Sequence, residues 1–420
     1  MKKRKRKLKK SVKRGCSVIL LGLLLLLCLP LVRCIRHAVQ EEQEEDVIVP
    51  LPPDSLDLAV ADRLQALVES PQRIDTSQLA ISVFDLQRHC TVYQYRSGEW
   101  MPPASCMKLL TAVSALHYLG TDHQYCSLVS IRGSLSQGKL RGTLVVSLDD
   151  DPHIDTFDAF ADSLLHLGIQ DIEGNIAFHL ARTDTLRPHP TASRWDISYN
   201  RLPILLKGEK RVTSEFLACL RQHGITYQPD STLADGEDLG LHFQLTRPLC
   251  EVLAPMLIYS SNIKAEAIFR HTGQAVGSPN ASLKFVHEEM PDETIEGMVV
   301  NDGSGLSPQN RLTADFLVHL LTYAYHREDI FQEFTTHALA SPNDALRSGS
   351  LTGRMTAPRF TGKVHAKTGT LTTIGASSLS GYCQAPDGRW YAFSILNNDT
   401  PVAESRIFQD RICDILVRME

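Results

Sequence analysis

One stretch of the sequence decides how the rest is interpreted: Val364-His365-Ala366-Lys367-Thr368-Gly369-Thr370-Leu371. It is rich in β-branched residues, as strands are, and it holds the single Lys-Thr-Gly triplet of the 420 residues. Two more β-rich runs follow at residues 378–383 and 390–396, and the turn Pro386-Asp387-Gly388 joins them. The pattern therefore predicts three consecutive strands, with the Lys-Thr-Gly triplet on the first.

Helices and a hairpin surround these strands in the sequence. Residues 79–86 and 90–95 are β-rich and are joined by a short polar segment, which predicts a hairpin. A Pro102-Pro103 pair followed by apolar residues at helical spacing predicts a helix that carries Ser105 in its first turn and ends at Gly120. Together these elements predict an α+β fold, an antiparallel sheet covered by helices. The same spacing predicts further helices over residues 55–68 behind a Ser55 cap, 157–167, 247–257, 263–269 and 407–419.

Composition divides the chain into five segments. Residues from about 125 to 240 are rich in Pro, Asp and Gly and contain short β-like runs at 140–148 and 172–180. We therefore expect an inserted β-rich domain that splits one catalytic domain into two parts. The predicted segments are 1–36 (basic segment and signal anchor), 37–54 (linker), 55–125 and 245–420 (the two parts of the catalytic domain) and 126–244 (the inserted domain).

The first 36 residues have the charge pattern of a membrane-targeting segment. Ten of the first fourteen residues are Lys or Arg, and the seventeen residues 16–32 carry no charge. No Ala-x-Ala-like cleavage site follows, so we expect an uncleaved anchor in the cytoplasmic membrane and a periplasmic or otherwise extracytoplasmic body; the alternative is cleavage and secretion. Beyond residue 36 the chain has 31 basic against 48 acidic residues, which argues against nucleic acid as a partner.

Cysteine and histidine spacing indicates no metal site. The ten cysteines contain no Cys-x-x-Cys pair, and the sixteen histidines show no ligand spacing typical of a metal centre. We therefore expect neither a metal nor a cofactor, and we interpret most cysteines outside the anchor as small apolar residues. His365, beside the Lys-Thr-Gly triplet, is interpreted as a surface residue.

Three short motifs, taken in their order along the chain, indicate a catalytic site. Ser105 and Lys108 form a Ser-x-x-Lys pair, in which the amine can take the proton of the hydroxyl one helical turn away. Ser260 and Asn262 form a Ser-x-Asn motif, and the Lys-Thr-Gly triplet comes last. Ser-x-x-Lys occurs three times and Ser-x-Asn four times, so neither is specific alone. The order of all three is the one used by serine enzymes that recognise penicillin.

The sequence resembles the class C low-molecular-mass penicillin-binding proteins, which are D-alanyl-D-alanine carboxypeptidases and endopeptidases. Beyond the three motifs, residues 260–266 resemble the helix start of that family, and residues 301–307 resemble its Asp-Gly-Ser-Gly-Leu-Ser loop. The resemblance covers roughly residues 55–125 and 245–420. It implies a penicillin-binding, serine β-lactamase-like catalytic domain. The inserted region is shorter than the two extra domains of that family.

The resemblance also implies a role for each residue of the motifs. Ser105 would attack the carbonyl of the penultimate D-alanine, with Lys108 as the base, kept neutral by burial and a nearby cation such as Lys367. Ser260 would relay a proton to the departing amine. Backbone N–H groups of Ser105 and Thr370 would form the oxyanion hole. Asn262 would orient Lys108 and the peptide, and Lys367 and Thr368 would bind the substrate carboxylate. Gly369 would let the strand approach the ligand closely.

These roles predict a serine DD-peptidase that acts on peptidoglycan stem peptides and is acylated by β-lactam antibiotics. Two alternatives stay open: a serine β-lactamase, and a non-catalytic cell-wall-binding protein that retains the fold. Asp302, Gly303 and Gly305 are interpreted as loop architecture. The acidic residue with which the family reads the amino group of the stem peptide is replaced by His179, and Asp184 is a distant candidate for that role.

Overall fold

The computed structural model describes residues 49–70, 73–192, 201–233, 236–291, 293 and 295–418. The basic segment, the expected anchor and most of the linker lie outside the described residues. Residues 51–420 form one compact unit. In the part of the chain that the structure describes, no helix has the length and apolar character needed to cross a bilayer.

Ten strands and ten α-helices follow one another in the described residues. The strands are β1 (Leu79–Asp85), β2 (Cys90–Tyr95), β3 (Gln124–Ser136), β4 (Lys139–Leu148), β5 (Asp171–Leu180), β6 (Thr226–Pro229), β7 (Asp238–Pro248), β8 (Val364–Leu371), β9 (Ala376–Gln384) and β10 (Trp390–Asn397). The helices are α1 (Ser55–Glu69), α2 (Met107–Leu119), α3 (Asp158–His166), α4 (Glu209–Gln222), α5 (Leu249–Ile258), α6 (Asn262–Ala275), α7 (Ala281–Glu289), α8 (Ala314–His326), α9 (Glu328–Glu333) and α10 (Val402–Val417).

The first sheet is antiparallel and has the strand order β2-β1-β10-β9-β8. Because side chains alternate across a strand, Leu79, Ile81 and Val83 of β1 join one apolar core while Ala80 joins another. Helices α1 and α10 contribute to the first of these cores, and α2, α5 and α8 contribute to the second. The sheet is therefore covered by helices on both faces, which confirms the predicted α+β fold.

The second sheet is built from strands between Gln124 and Pro248 and has the order β6-β5-β4-β3-β7. Its β4–β5 and β5–β6 pairs are parallel, and helices α3 and α4 lie in the connections between them. A parallel pair requires such a crossover, since a tight turn cannot bring the chain back to the same end. Strands β3, β6 and β7 and helix α4 were not predicted, although apolar residues alternate along β7 and Val212, Phe216, Cys219 and Leu220 follow helical spacing on α4.

The cap of the first helix differs from the prediction. Asp54, not Ser55, is the N-cap, and its Oδ1 accepts hydrogen bonds from the backbone N–H groups of Leu56 and Asp57 at 3.0 Å each. Arg389, at the start of the last hairpin strand, binds Asp54 at 3.0 Å. The carboxylate is therefore both a helix cap and an ion-pair partner, a combination that a short hydroxyl side chain could not provide.

The interpretation of His365 as a surface residue is wrong. His365 is 5% exposed, its Nε2 lies 3.3 Å from the carbonyl oxygen of Gly362, and its ring lies 5.7 Å from that of Trp390. Burial, together with repulsion by Arg347, lowers the pKa of His365 to about 4. The imidazole is therefore neutral at pH 7. It is buried in the packing around β8 because helices cover both faces of the sheet.

Candidate active site

Ser105 lies at a short 3₁₀ turn, Ala104–Cys106, that leads directly into α2. The turn is held against the first sheet at two points. Ser378 Oγ of β9 donates to the carbonyl oxygen of Pro103 at 2.7 Å, and Cys106 Sγ lies 3.3 Å from the carbonyl oxygen of Lys367 on β8. Ala104 has a φ of +48°, a conformation that costs energy for any residue with a Cβ. The hydroxyl of Ser105 is thus fixed at the junction of α2 and β8.

Lys108 is fully buried one helical turn after Ser105. Its Nζ lies 2.9 Å from Ser105 Oγ, 2.7 Å from Asn262 Oδ1 and 2.6 Å from the carbonyl oxygen of Ser304. The last two atoms can only accept hydrogen bonds. They can accept two N–H bonds of the Lys108 amine, and in its neutral form the lone pair then points toward the hydroxyl of Ser105. The arrangement can take a proton from that hydroxyl.

Ser260 and Asn262 flank the start of α6. The N-cap of this helix is Ser261, whose Oγ accepts from the N–H of Lys264 at 3.4 Å, so neither Ser260 nor Asn262 is the cap. Ser260 has a φ of +61°, in the left-handed region that a serine rarely adopts. Such strain is typical of functional sites, where the surrounding structure compensates for its cost.

Lys367 is fully buried on β8, and its Nζ lies 3.0 Å from Ser260 Oγ and 2.6 Å from the carbonyl oxygen of Thr368. Burial lowers the pKa of Lys367 to about 8, because the charged ammonium loses its hydration. The amine is therefore mostly protonated at pH 7 and can serve as a cation for an anionic group. Ser260 and Lys367 form a second hydrogen-bonded pair beside the pair of Ser105 and Lys108.

Gly369 has no room for a side chain. A Cβ at this position would lie 2.0 Å from Ser378 Oγ and 2.8 Å from the carbonyl oxygen of Pro103. The strand can therefore approach the turn of Ser105 only with glycine here. Beside it, Thr368 is nearly buried, and Thr370 Oγ1 accepts a hydrogen bond from Arg406 at 3.3 Å.

The loop of residues 301–307 supplies a group that the sequence analysis did not assign. Asp302 accepts from the backbone N–H of Gly305 at 2.6 Å and from that of Ser307 at 2.7 Å, which makes it the organising residue of the loop. The peptide between Ser304 and Gly305 thus donates its N–H to Asp302 and presents its carbonyl oxygen to Lys108. No pattern of residue types reveals a backbone carbonyl, so the sequence could not have identified this contact.

Glu266 is a further residue that the sequence analysis did not single out. It lies on α6 one turn after Asn262, is 3% exposed, and accepts the backbone N–H of Ser304 on Oε1 at 3.0 Å. Burial, and then the nearby charge of Asp302, raise the pKa of Glu266 to about 7. Its i, i+4 spacing from Asn262 was the available signal. Two residues on one face of α6 therefore support Lys108, one directly and one through Ser304.

The Glu266→Gln variant should be more stable relative to the wild type at pH 8 than at pH 5. The pKa of the folded-state carboxyl is about 7 against an ordinary value of 4.5, so its contribution to the free energy of unfolding is lost as the pH rises through that range. The glutamine does not ionise and avoids this loss. Thermal unfolding of both proteins at the two pH values measures it, and an equal difference between them at pH 5 and pH 8 would contradict the shifted ionisation.

Neither candidate specificity residue of the inserted region, His179 or Asp184, is a free carboxylate beside Ser105. His179 is exposed on β5. Asp184 is bound by Arg182 at 3.0 Å and by Arg270 at 3.7 Å, at a cleft of about 560 Å³ that Glu266 also lines. Asp184 is therefore paired with two guanidinium groups, one of which, that of Arg182, also binds Asp150. Among the described residues, the clusters of His, Cys and carboxylate side chains that could hold a metal lie outside the group formed by Ser105, Lys108, Ser260, Asn262 and Lys367.

Comparison with protein families gives one extensive match. The model of the family described as "D-Ala-D-Ala carboxypeptidase 3 (S13)" matches residues 60–195 and 206–418. A curated D-alanyl-D-alanine carboxypeptidase from Actinomadura sp. (strain R39) is 35% identical over 195 residues, which is 44% of this chain. That alignment spans 35% of the relative's own length, so the chain matches about a third of it.

Solved structures share the fold. The crystal structure of penicillin binding protein 4 (dacB) from Haemophilus influenzae aligns with a TM-score of 0.66 at 19% identity, covering 84% of this chain and 99% of that chain. A structure of the same Haemophilus protein complexed with a β-lactam aligns with a TM-score of 0.60 at 17% identity, covering 85% of this chain and 99% of that chain. At this level of identity the likeness concerns the fold.

Proposed function

Because the chain belongs to the D-Ala-D-Ala carboxypeptidase 3 (S13) family, we propose that it is a serine DD-peptidase that acts on peptidoglycan stem peptides through an acyl-enzyme and is acylated by β-lactams. One observation carries the proposal. The buried amine of Lys108 lies 2.9 Å from Ser105 Oγ and is held there by Asn262 and the Ser304 carbonyl. A serine hydroxyl is a weak nucleophile until such a base activates it.

In the acylation step, Ser105 Oγ attacks the carbonyl carbon of the penultimate D-alanine and its proton passes to Lys108 Nζ. The backbone N–H groups of Ser105 and Thr370 are the expected donors to the oxyanion that forms. Asn262 and the carbonyl of Ser304 hold the Lys108 amine in place during the transfer. The C–N bond to the terminal D-alanine then breaks and leaves an ester on Ser105.

The second hydrogen-bonded pair serves the leaving group. Ser260 Oγ, 3.0 Å from Lys367 Nζ, would pass its proton to the departing amine and take in exchange the proton held by Lys108 Nζ, which returns Lys108 to its neutral form. The protonated Lys367 would bind the terminal carboxylate together with Thr368. Water then attacks the ester carbonyl, Ser105 recovers its proton, and the shortened peptide leaves with a new carboxyl group.

Intact-mass spectrometry of the full chain after incubation with benzylpenicillin tests this function. A stable adduct of one penicillin per chain is expected, since a slow deacylation distinguishes a DD-peptidase from a β-lactamase. Consumption of penicillin without an adduct would favour the β-lactamase. Unchanged protein together with unchanged penicillin would favour the non-catalytic cell-wall-binding protein.

The pH dependence of peptide binding should report the charge of Lys367. Because the pKa of Lys367 is about 8, its ammonium loses a proton as the pH rises from 7 to 9, and attraction for the substrate carboxylate falls. We expect KM for a D-Ala-D-Ala peptide to rise over this range, and Lys367→Met to lower kcat/KM by about 10- to 100-fold at pH 7.

A peptide with an amidated C-terminus is the control for Lys367, because it offers no carboxylate and should show a much smaller loss on substitution. An unchanged kcat/KM of Lys367→Met on the free peptide would remove Lys367 from carboxylate recognition.

We propose that this activity is located on the outer side of the cytoplasmic membrane, with residues 16–32 as the anchor. We also propose that residues 126–244 are a shortened inserted domain. The support for the anchor is the run of ten cations in the first fourteen residues followed by seventeen uncharged ones. Fractionation of cells that express the full chain, with and without residues 1–36, would test it. Membrane association that survives the deletion would contradict the anchor.

A further inference from the structure

The two helices that accompany the second sheet carry matching pairs of metal-ligating side chains. Asp158 and Asp162 are four residues apart on α3, and Cys219 and His223 are four residues apart at the end of α4. Residues at this spacing lie on one face of a helix. The two faces meet, since the His223 ring reaches both carboxylates and the Cys219 thiol reaches one of them.

The separations between the donor atoms suit a tetrahedral zinc ion. Cys219 Sγ lies 3.5 Å from Asp158 Oδ1. His223 Nε2 lies 3.8 Å from Asp158 Oδ1 and 3.6 Å from Asp162 Oδ1. Zinc bonds of about 2.0–2.3 Å at tetrahedral angles place their ligand atoms roughly 3.3–3.6 Å apart. Asp158, Cys219 and His223 thus offer three ligand atoms within 4.8 Å of one another, and the exposed side chain of Asp162 would have to rotate toward them to become the fourth ligand.

The imidazole of His223 is already oriented for coordination. Its Nδ1 lies 3.0 Å from the carbonyl oxygen of Cys219, which can only accept, and 3.6 Å from Cys219 Sγ, so Nδ1 carries a hydrogen and Nε2 is the nitrogen left to bind a metal. Nε2 is the nitrogen that faces the two carboxylates. A backbone carbonyl that fixes the tautomer of a histidine ligand is a common feature of zinc sites.

Charge also favours a cation at this position. The carboxylate of Asp158 lies 3.5 Å from the Cys219 thiol, and those of Asp158 and Asp162 lie 3.8 Å and 3.6 Å from His223 Nε2, so two negative groups line the position. A divalent cation placed among them would balance this charge and stabilise the thiolate. The thiol is nearly buried while the carboxylates are exposed, which leaves a path for an ion from solution.

A second cluster, formed by Asp149, Asp150 and His271, is less suited to a metal. Asp150 is paired with the buried guanidinium of Arg182 at 3.2 Å, which already neutralises its charge and would repel a cation. Both oxygens of Asp149 accept backbone hydrogen bonds, from Cys126 at 2.8 Å and from Asp150 at 2.9 Å. This cluster is a satisfied ion-pair network, so the cluster on α3 and α4 is the better candidate.

We propose that Asp158, Asp162, Cys219 and His223 bind one Zn²⁺ and thereby join α3 to α4. Binding forms a Zn–S bond and releases the thiol proton of Cys219 to solvent, with no change of oxidation state. The ion would stabilise the region of the second sheet and takes no part in the chemistry at Ser105. The spacing of cysteines and histidines along the sequence predicted no metal site, because the two ligand pairs lie on separate helices and meet only in the fold.

Titration of the metal-free full chain with Co²⁺ tests the site. We expect a thiolate-to-cobalt charge-transfer band and the visible bands of tetrahedral cobalt, saturating at one equivalent and disappearing when Zn²⁺ is added. Cys219→Ala should abolish the charge-transfer band. Cys126→Ser, which removes an exposed cysteine outside the cluster, should leave it unchanged. A band that persists in Cys219→Ala, or no band in the wild type, would overturn the proposal.

Asp162→Asn provides a variant that will not disturb the core, since this side chain is 64% exposed. It should weaken Co²⁺ binding about 10-fold or more. One equivalent of Zn²⁺ should also raise the midpoint of thermal unfolding of the wild type by about 3 °C or more, and should leave that of Cys219→Ala unchanged. Equal stabilisation of the wild type and both variants would show that zinc binds elsewhere.

Discussion

The Ser105→Ala variant should form no adduct with benzylpenicillin and should release D-alanine from a D-Ala-D-Ala peptide at least about 10³-fold more slowly than the wild type. The reason is that the Oγ atom removed is the one that lies 2.9 Å from the buried amine and forms the ester in the proposed mechanism. Intact-mass spectrometry measures the adduct, and a coupled assay for D-alanine measures turnover.

Ser114→Ala is the matched control for this prediction. Ser114 is a buried serine on α2, the helix that follows Ser105, and its Oγ contacts Ser282 Oγ at 3.1 Å and the carbonyl oxygen of Leu110 at 2.8 Å. It should retain both the adduct and the turnover. If Ser105→Ala still acquires one penicillin per chain, another residue is the nucleophile and the proposed mechanism fails.

The Lys108→Met variant should acylate about 10²- to 10⁴-fold more slowly, which is the range that a general base contributes. Methionine fills a similar volume but cannot take the proton of Ser105. The substitution also leaves the acceptors of Asn262 and Ser304 without the amine, so we expect a loss of about 1–3 kcal/mol in the free energy of unfolding. The rate of penicillin adduct formation measures the first effect, and urea unfolding measures the second.

Lys139→Met controls for the loss of a lysine in a Ser-x-x-Lys motif. Ser136 and Lys139 have the same spacing, but Lys139 is 42% exposed and pairs with Glu173 on the neighbouring strand. This variant should acylate at the rate of the wild type. Wild-type acylation by Lys108→Met would show that another group takes the proton from Ser105.

Much of the fold could be predicted because its signals are local. The strand predicted at residues 364–371 is β8 with both ends correct, and the hairpin of β1 and β2 and the helix that ends at Gly120 are also confirmed. Periodicity and turn residues act over a few positions, so they are visible in the sequence. The parallel pairs of the second sheet were missed because their partner strands are separated by whole helices.

In the candidate site, only the residues that belong to the three motifs could be predicted from the sequence. Ser105, Lys108 and Asn262 lie together as the motif order implied, and Ser260 lies beside Lys367. Glu266 and the Ser304 carbonyl were not identified, because their part depends on where the loop of residues 301–307 packs. The burial of His365 was also missed, since it depends on the helices that cover the sheet and not on its neighbours in the sequence.

The strands and helices that carry the three motifs follow from local sequence, because hydrophobic period, prolines and glycines restrict the backbone over a few positions. The surroundings of the Lys108 amine depend on tertiary packing, since Asn262 and Ser304 lie 154 and 196 residues further along the chain. Tertiary packing likewise brings Asp158 and Asp162 to Cys219 and His223. Contacts across such separations depend on how the sheets and helices pack, and that packing is the sum of many weak interactions that no single motif encodes.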